Sequence, residues 1–202
     1  MNNLEFKIKH SMDIQAVSQL VINERHYRDR GWCEKWKDCF ADDSLVEISW
    51  FKGTGAEFVE QTRLHSVQGR HRLSPPSVQV NGDRAYVELP LAIEFRNIIG
   101  DVEADLVSYT RSQYRAIRLG GIWRIVKLTA IYERDTLTPT IPGTTLILDT
   151  ESLKKYRPSY RFISYNIKNL GIEPKNDLLG EDKPEAITAF YEKEMAWLKG
   201  EQ

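Results

Sequence analysis

The sequence predicts an α+β fold in which helices come first, a long antiparallel sheet follows, and short helices close the chain. Three observations carry this. Apolar residues recur at helical spacing in the first third, they alternate from Ser77 to Tyr132, and the turn signals Asn81-Gly82 and Gly120-Gly121 divide the alternating run. The 202 residues, 41% of them hydrophobic, can build a substantial core.

Asp13 is placed to cap the first helix, along which Ile14, Val17, Leu20 and Val21 form an apolar stripe. Glu24 and Arg28 continue that stripe, which puts a carboxylate on a face that looks inward. An i,i+4 pair with Arg28 would neutralise it, whereas burial with a raised pKa would make it a second acid. Gly31 stops the helix, and Trp32, Trp36 and Phe40 then recur at helical spacing. Residues 44–51 read as a short strand on which Trp50 and Phe51 point to opposite faces, so that one can line a cavity. Gly53-Thr54-Gly55-Ala56 turns the chain into a third helix over 57–68.

Val78 and Val80 lead into the Asn81-Gly82 turn, and Ala85, Val87, Leu89, Leu91, Ile93 and Phe95 alternate beyond it. Pro90 cannot donate to a ladder and marks a bulge or an edge. Residues 102–117 and 122–132 complete a curved antiparallel sheet. Its last strand is apolar on both parities, so both faces need cover, from helices on one side and from the tail or a second copy on the other. A homo-oligomer is the expectation. Residues 136–143 read as a linker, 152–156 and 159–170 as short helices, and Pro184 opens a final helix that ends before Gly200.

A formal net charge of −1 argues against nucleic acid as a partner. No stretch approaches the roughly 20 apolar residues that cross a bilayer, and the amino terminus does not read as a signal peptide. Cys33 and Cys39 are poorly placed to bridge one another, which fits a reducing, cytoplasmic setting. There is no Gly-rich phosphate loop and no serine elbow. His10, His26 and His65 are dispersed, poor material for a metal site, so cofactor-free chemistry is expected.

Helices, then a long curled sheet with a Gly82-Asp83-Arg84-Ala85 hairpin and a terminal Gly121-Ile122-Trp123-Arg124-Ile125 strand: this order resembles the SnoaL-like branch of the nuclear transport factor 2-like superfamily. The resemblance covers roughly Asp13 to Asp135. It implies a cone-shaped curved antiparallel sheet packed against the N-terminal helices, occupying 1–135, with 136–202 as linker and C-terminal helical extension. That extension would pack on the domain or on a neighbouring subunit.

The branch includes polyketide cyclases, scytalone dehydratase, a bile-acid dehydratase and a hexachlorocyclohexane dehydrochlorinase. In its dehydratase-like members an Asp at the end of the first helix orients a His ahead of a main strand, and the His removes a proton. Asp29 and His71 stand at the matching positions. Leu128, Glu24 and Pro75 depart from the pattern, where members carry an Arg, a Tyr or Lys, and an Asn.

A neutral imidazole whose other nitrogen is held by a carboxylate is equipped to abstract a proton near neutral pH. The developing oxyanion then needs a donor, and Tyr27, Tyr109, Tyr114, Tyr132 and Arg134 are candidates by chemistry, with Glu24, Trp50 and His65 as further pocket candidates. The reading is a cofactor-independent lyase or isomerase, dehydratase-like, acting on a small, largely apolar hydroxyl or carbonyl compound, hydrophobic or polycyclic. The alternative is a non-catalytic protein that binds such a molecule in the same cavity.

Overall fold

The computed structural model describes residues 3–65 and 69–201. Helix α1 (Asn3–Arg30) ends at Gly31, whose φ of +68° takes the chain out of the helix. Asp13, expected as its cap, lies buried in mid-helix, where Arg118 Nη1 donates to Oδ1 at 2.8 Å. The carboxylate serves a tertiary ion pair and the helix runs past it. In α2 (Cys33–Lys37) Trp36 is buried and Trp32 is left exposed. Phe40 does not prolong that helix: it opens strand β1 (Phe40–Glu47).

Strand β2 (Lys52–Gly53) returns antiparallel to β1, so Trp50 and Phe51 occupy the turn between them and not a strand. Helix α3 (Gly55–Leu64) starts with a capping box. Thr54 Oγ1 accepts from the Glu57 N–H at 3.2 Å, and Glu57 Oε2 accepts from the Thr54 N–H at 2.7 Å. The end of the helix expected over 57–68 falls on 66–68, outside the described residues.

Then come β3 (Arg70–Leu73), β4 (Ser77–Asn81), β5 (Arg84–Ile99), β6 (Val102–Leu119) and β7 (Ile122–Pro139). The first four residues of the expected linker are therefore strand. Helices α4 (Thr150–Leu153) and α5 (Arg161–Asn169) flank a 3-10 turn at Pro158–Tyr160, and β8 (Leu179–Gly180) precedes α6 (Pro184–Lys199). Gly200, left-handed at φ +89°, closes α6 as its position in the sequence suggests.

The strand order is β2-β1-β7-β6-β5-β3, with β4 also on β5 and β8 also on β7. This corrects the expected cone-shaped antiparallel sheet in two respects. The β1–β7 and β7–β8 pairings are parallel, which makes the sheet mixed, and β2 and β3 end the order without pairing to each other, which leaves the sheet open and without strong curl. Hairpin chemistry fixes only neighbours joined by short turns. The β1–β7 pair joins distant stretches of chain, so no turn residue announces its direction.

Pro90 is likewise neither at a bulge nor at an edge, since β5 keeps an unbroken register with β6 through the Pro90–Arg111 pair. On its other side the partner of β5 changes there, β4 reaching Glu88 and β3 starting from Leu91. The Ser74 N–H donates to the Pro90 carbonyl at 2.9 Å across this gap. In antiparallel pairing a residue's N–H and C=O point the same way, so the N–H that proline lacks would have pointed into the gap.

Even-numbered positions of β6 from Ala104 to Ala116 are buried facing α1, α3 and α5. The opposite face carries Arg111, Gln113 and Arg115, and α6 covers it. Glu194, almost wholly buried, accepts from Arg115 Nε at 2.5 Å and Lys127 Nζ at 2.8 Å, and Arg115 also lies 4.7 Å from the Trp197 ring centroid. The two-sided character of β7 is thus met within one chain.

Candidate active site

Between α1, the turn after β1, α3, the inner face of β5–β7 and α5 lies a chamber with about 50 Å³ of space reachable by a water-sized sphere. Its wall is mostly apolar, with Phe58, Ile93, Leu128, Ala130, Ile163 and Ile167 among the lining groups. Against them stand a few polar side chains, with Arg25, Arg28, Ser49, His71, Thr110 and Tyr132 among them. An apolar cavity with few convergent polar groups is the usual form of a small-molecule site.

Asp29 sits in the last turn of α1 and His71 is the second residue of β3, paired with Ile93 of β5. The sheet register fixes the imidazole and the helix end brings the carboxylate to it. His71 Nδ1 lies 2.7 Å from Asp29 Oδ1, while the His71 backbone N–H donates to Oδ2, also at 2.7 Å. Both carboxylate oxygens are engaged by one residue, which sets the distance and the ring orientation together.

Burial pushes the Asp29 carboxyl up, but its hydrogen bonds from His71 and the nearby Arg28 guanidinium outweigh this and hold it below the usual carboxylate range. The His71 imidazole, with only 2% of its side chain exposed, is lowered to about 3, by burial first and then by Arg28 and Arg25, against the pull of Asp29. A carboxylate beside a neutral imidazole assigns the ring proton to Nδ1 and leaves the Nε2 lone pair for chemistry.

That lone pair faces Arg25 Nη1 at 3.3 Å. Arg25 is held from behind by Glu24, its neighbour in sequence, with Nε donating to Oε2 at 2.5 Å and Nη2 donating to Oε1. Glu24 is wholly buried and also accepts from Trp36 Nε1 at 2.7 Å and from the Tyr114 hydroxyl at 3.1 Å. Its partner is thus Arg25, not the expected Arg28, which instead donates to Asp29 Oδ1 at 3.0 Å and to the Gly69 carbonyl at 2.5 Å.

Of the residues singled out from sequence, His71, Tyr132 and Trp50 line the chamber, and Asp29 braces His71 from its edge. The Tyr132 hydroxyl accepts from the Ser49 N–H at 3.0 Å. The others lie elsewhere. Glu24 and Tyr114 stand behind Arg25. Tyr27 packs with His26 and Trp32 outside the chamber. His65, at the C-terminal end of α3, is exposed and meets the edge of Trp50. Tyr109 and Arg134 stack on each other, the guanidinium 4.5 Å from the ring centroid. They face away because Tyr109 has the odd parity of β6, and β7 carries an extra residue between its pairings to Tyr109 and Thr110.

Arg25 and Arg28 were absent from the sequence-based candidates, although Arg25 follows Val21 by four residues on the inward stripe. The α5 groups were absent too. Ile163 and Ile167 close the chamber, and Asn166 beside them accepts from Asn97 Nδ2 at 2.9 Å. Their only sequence signal was an amphipathic spacing. Among the described residues no three His, Cys, Asp or Glu side chains gather where a metal ion could be held.

Residues 9–129 match the family model for the SnoaL-like domain. The chain is 26% identical to Pea pathogenicity protein 2 of Fusarium vanettenii, across 94% of this chain and 89% of that protein. Among solved structures it is similar to a hexachlorocyclohexane dehydrochlorinase from Novosphingobium barchaimii, with a TM-score of 0.54 at 15% identity over 70% of this chain and 99% of the other. It is also similar to a protein of unknown function from Mycobacterium tuberculosis, with a TM-score of 0.52 at 21% identity over 64% and 75%. These two likenesses are of fold.

Proposed function

We propose that this chain, which belongs to the SnoaL-like domain family, is a cofactor-independent lyase or isomerase that abstracts a proton from a small hydroxyl or carbonyl compound. One observation carries the reading: the 2.7 Å contact between His71 Nδ1 and Asp29 Oδ1 at the wall of an apolar chamber. His71 Nε2 takes the proton on the carbon beside a carbonyl, and the electron pair of that C–H bond moves into the carbonyl to give an enolate. Arg25 and the Tyr132 hydroxyl are the donors best placed to hold the oxyanion. The enolate then expels a β-hydroxyl, which leaves as water with the proton returned by His71, or it is reprotonated elsewhere as an isomer. Asp29 stabilises the imidazolium in between. Positioned acid-base catalysis of this type contributes about 10²–10⁴-fold.

The narrow chamber favours a compact substrate over a polycyclic one. A test that needs no prior substrate uses 3-hydroxycyclohexanone, whose dehydration to cyclohexenone is read by ultraviolet absorbance, with deuterium uptake at its α-carbon read by NMR. Conversion or exchange lost in His71→Ala supports the reading; equal rates in the variant refute it.

A second reading, a binding protein without turnover, draws on a specific contact. Arg25 Nη1 already occupies the hydrogen-bonding position at His71 Nε2, so the base is masked in the unliganded site. Binding of the hydroxyketone without exchange in the native protein favours this alternative.

A further inference from the structure

The nitrogen that must act as base is the one that Arg25 covers. Five N–H bonds leave a guanidinium, and those of Arg25 are directed at Glu24 through Nε and Nη2 and at His71 through one N–H of Nη1. Its second N–H on each of Nη1 and Nη2 has no acceptor among the described residues. Arg28, also buried, lines the same chamber. Two guanidiniums thus line a small, mostly apolar space, with the Glu24 and Asp29 carboxylates behind them.

The charges set a constraint. With His71 neutral, Arg25 and Arg28 offset Glu24 and Asp29. Protonating His71 alone would leave one uncompensated positive charge in a buried site, and such a charge is costly. A guest bearing one negative charge removes that cost. A carboxylate or enolate oxygen is also a stronger acceptor for Arg25 than an imidazole nitrogen.

We infer that the chamber binds an organic anion, a carboxylic acid or an acidic enol or phenol, whose oxygen draws Arg25 Nη1 away from His71 Nε2 so that binding and protonation of His71 are coupled. The anion frees Nε2 from Arg25 and raises its proton affinity at the same time: in mild acid the ring takes up a proton, and near neutral pH, where it stays neutral, it is the stronger base. This rests on the proposed function for the role of His71 and adds the class of substrate. The charged and titratable groups around His71 all take part. Helix α1 presents Arg25, Arg28 and Asp29 with Glu24 behind, and His26 and Arg30 on the open groove outside; β3 itself carries Arg70 and Arg72, β5 carries Glu94 paired to Arg72, and β7 supplies Tyr132.

Calorimetry on the full chain near pH 5.5, with benzoate and its neutral isostere benzamide, and with isobutyrate and isobutyramide as a smaller pair, tests this directly. We expect at least one anion to bind about tenfold or more tighter than its amide. Its enthalpy should depend on the buffer, showing proton uptake, and the His71 ring nitrogens should move to imidazolium positions in 15N NMR. In Glu24→Gln/Arg25→Gln, which removes both halves of the buried pair, the preference should fall to about threefold or less.

Anions that bind no better than amides, or bind with neither proton uptake nor a change at His71, would overturn the inference. So would binding abolished by Arg30→Ala/Arg72→Ala, because those arginines line only the open groove on the outer side of His71. Binding and uptake are read without turnover. Anion-coupled protonation in a protein that never exchanges or dehydrates a substrate would refute the proposed function alone, while His71-dependent turnover of a neutral hydroxyketone without anion binding would refute this inference alone.

Discussion

Arg25 Nη1 stands 3.3 Å from His71 Nε2, the one ring nitrogen left after Nδ1 has been committed to Asp29. The imidazole is thus held between a carboxylate that stabilises its protonated form and a guanidinium that opposes it, with the ring itself almost wholly buried.

Acid should destabilise the fold through this site. The folded His71 pKa, about 3, lies below its unfolded value of 6.5, so between these limits the unfolded chain binds the extra proton and stability rises with pH. The contribution is complete above about pH 6.5 and is lost as pH falls toward about 3. Asp29, also lowered, adds to the loss at the acid end. Urea denaturation from pH 7 to 4 should show a decline of a few kcal/mol that His71→Gln flattens.

Breaking the buried pair from one side should cost much more than removing it. Arg25→Met leaves Glu24 as an unpaired carboxylate with no exposed surface and should cost about 3–5 kcal/mol. Glu24→Gln/Arg25→Met should recover most of that, because Gln can still accept from Trp36 Nε1 and Tyr114. A double-mutant cycle by chemical denaturation measures the difference.

Tyr132→Phe separates support from chemistry. The Ser49 N–H loses its acceptor, a stability cost of about 1 kcal/mol. Turnover of any converted hydroxyketone should fall by about 10²-fold, with the larger effect on kcat than on KM, as for a donor that acts on the oxyanion.

Asp135 should respond to pH with the opposite sign. Its carboxylate accepts from the Ile163 N–H at 2.8 Å near the start of α5, its other oxygen is buried without a partner among the described residues, and burial raises its pKa to about 6 against the backbone donors. A raised carboxyl contributes stability below its unfolded pKa and loses it as pH rises through about 6. Asp135→Asn should raise the melting temperature at pH 8, by about 1–2 kcal/mol of stability after allowance for partial solvent screening, and should change little near pH 4.

Local chemistry made part of this molecule legible from its sequence. The Asn81-Gly82 and Gly120-Gly121 turns define the hairpins because positive φ at those glycines is a local demand, and Gly31 and Gly200 end their helices for the same reason. His71 and Asp29 were visible because their places beside a strand and a helix end resemble a known pattern, and the fold does bring them into contact.

What escaped was long-range. Asp13 looks like a cap until Arg118, far along the chain, is seen to pair with it. The parallel β1–β7 ladder has no turn to betray it, and without it a mixed sheet without strong curl reads as a cone-shaped antiparallel one. Arg25 escaped because a charged residue on an inward stripe has a meaning only once Glu24 and His71 are known to flank it.

The most direct measurement of the central claim is 15N NMR of the histidine ring nitrogens of the unliganded protein between pH 5 and 8. The account predicts that His71 stays neutral throughout, its proton on Nδ1 and Nε2 unprotonated, and that Asp29→Asn disturbs this pattern. A His71 that titrates near its ordinary value of about 6.5, or that carries its proton on Nε2, would contradict the arrangement on which the proposed chemistry depends.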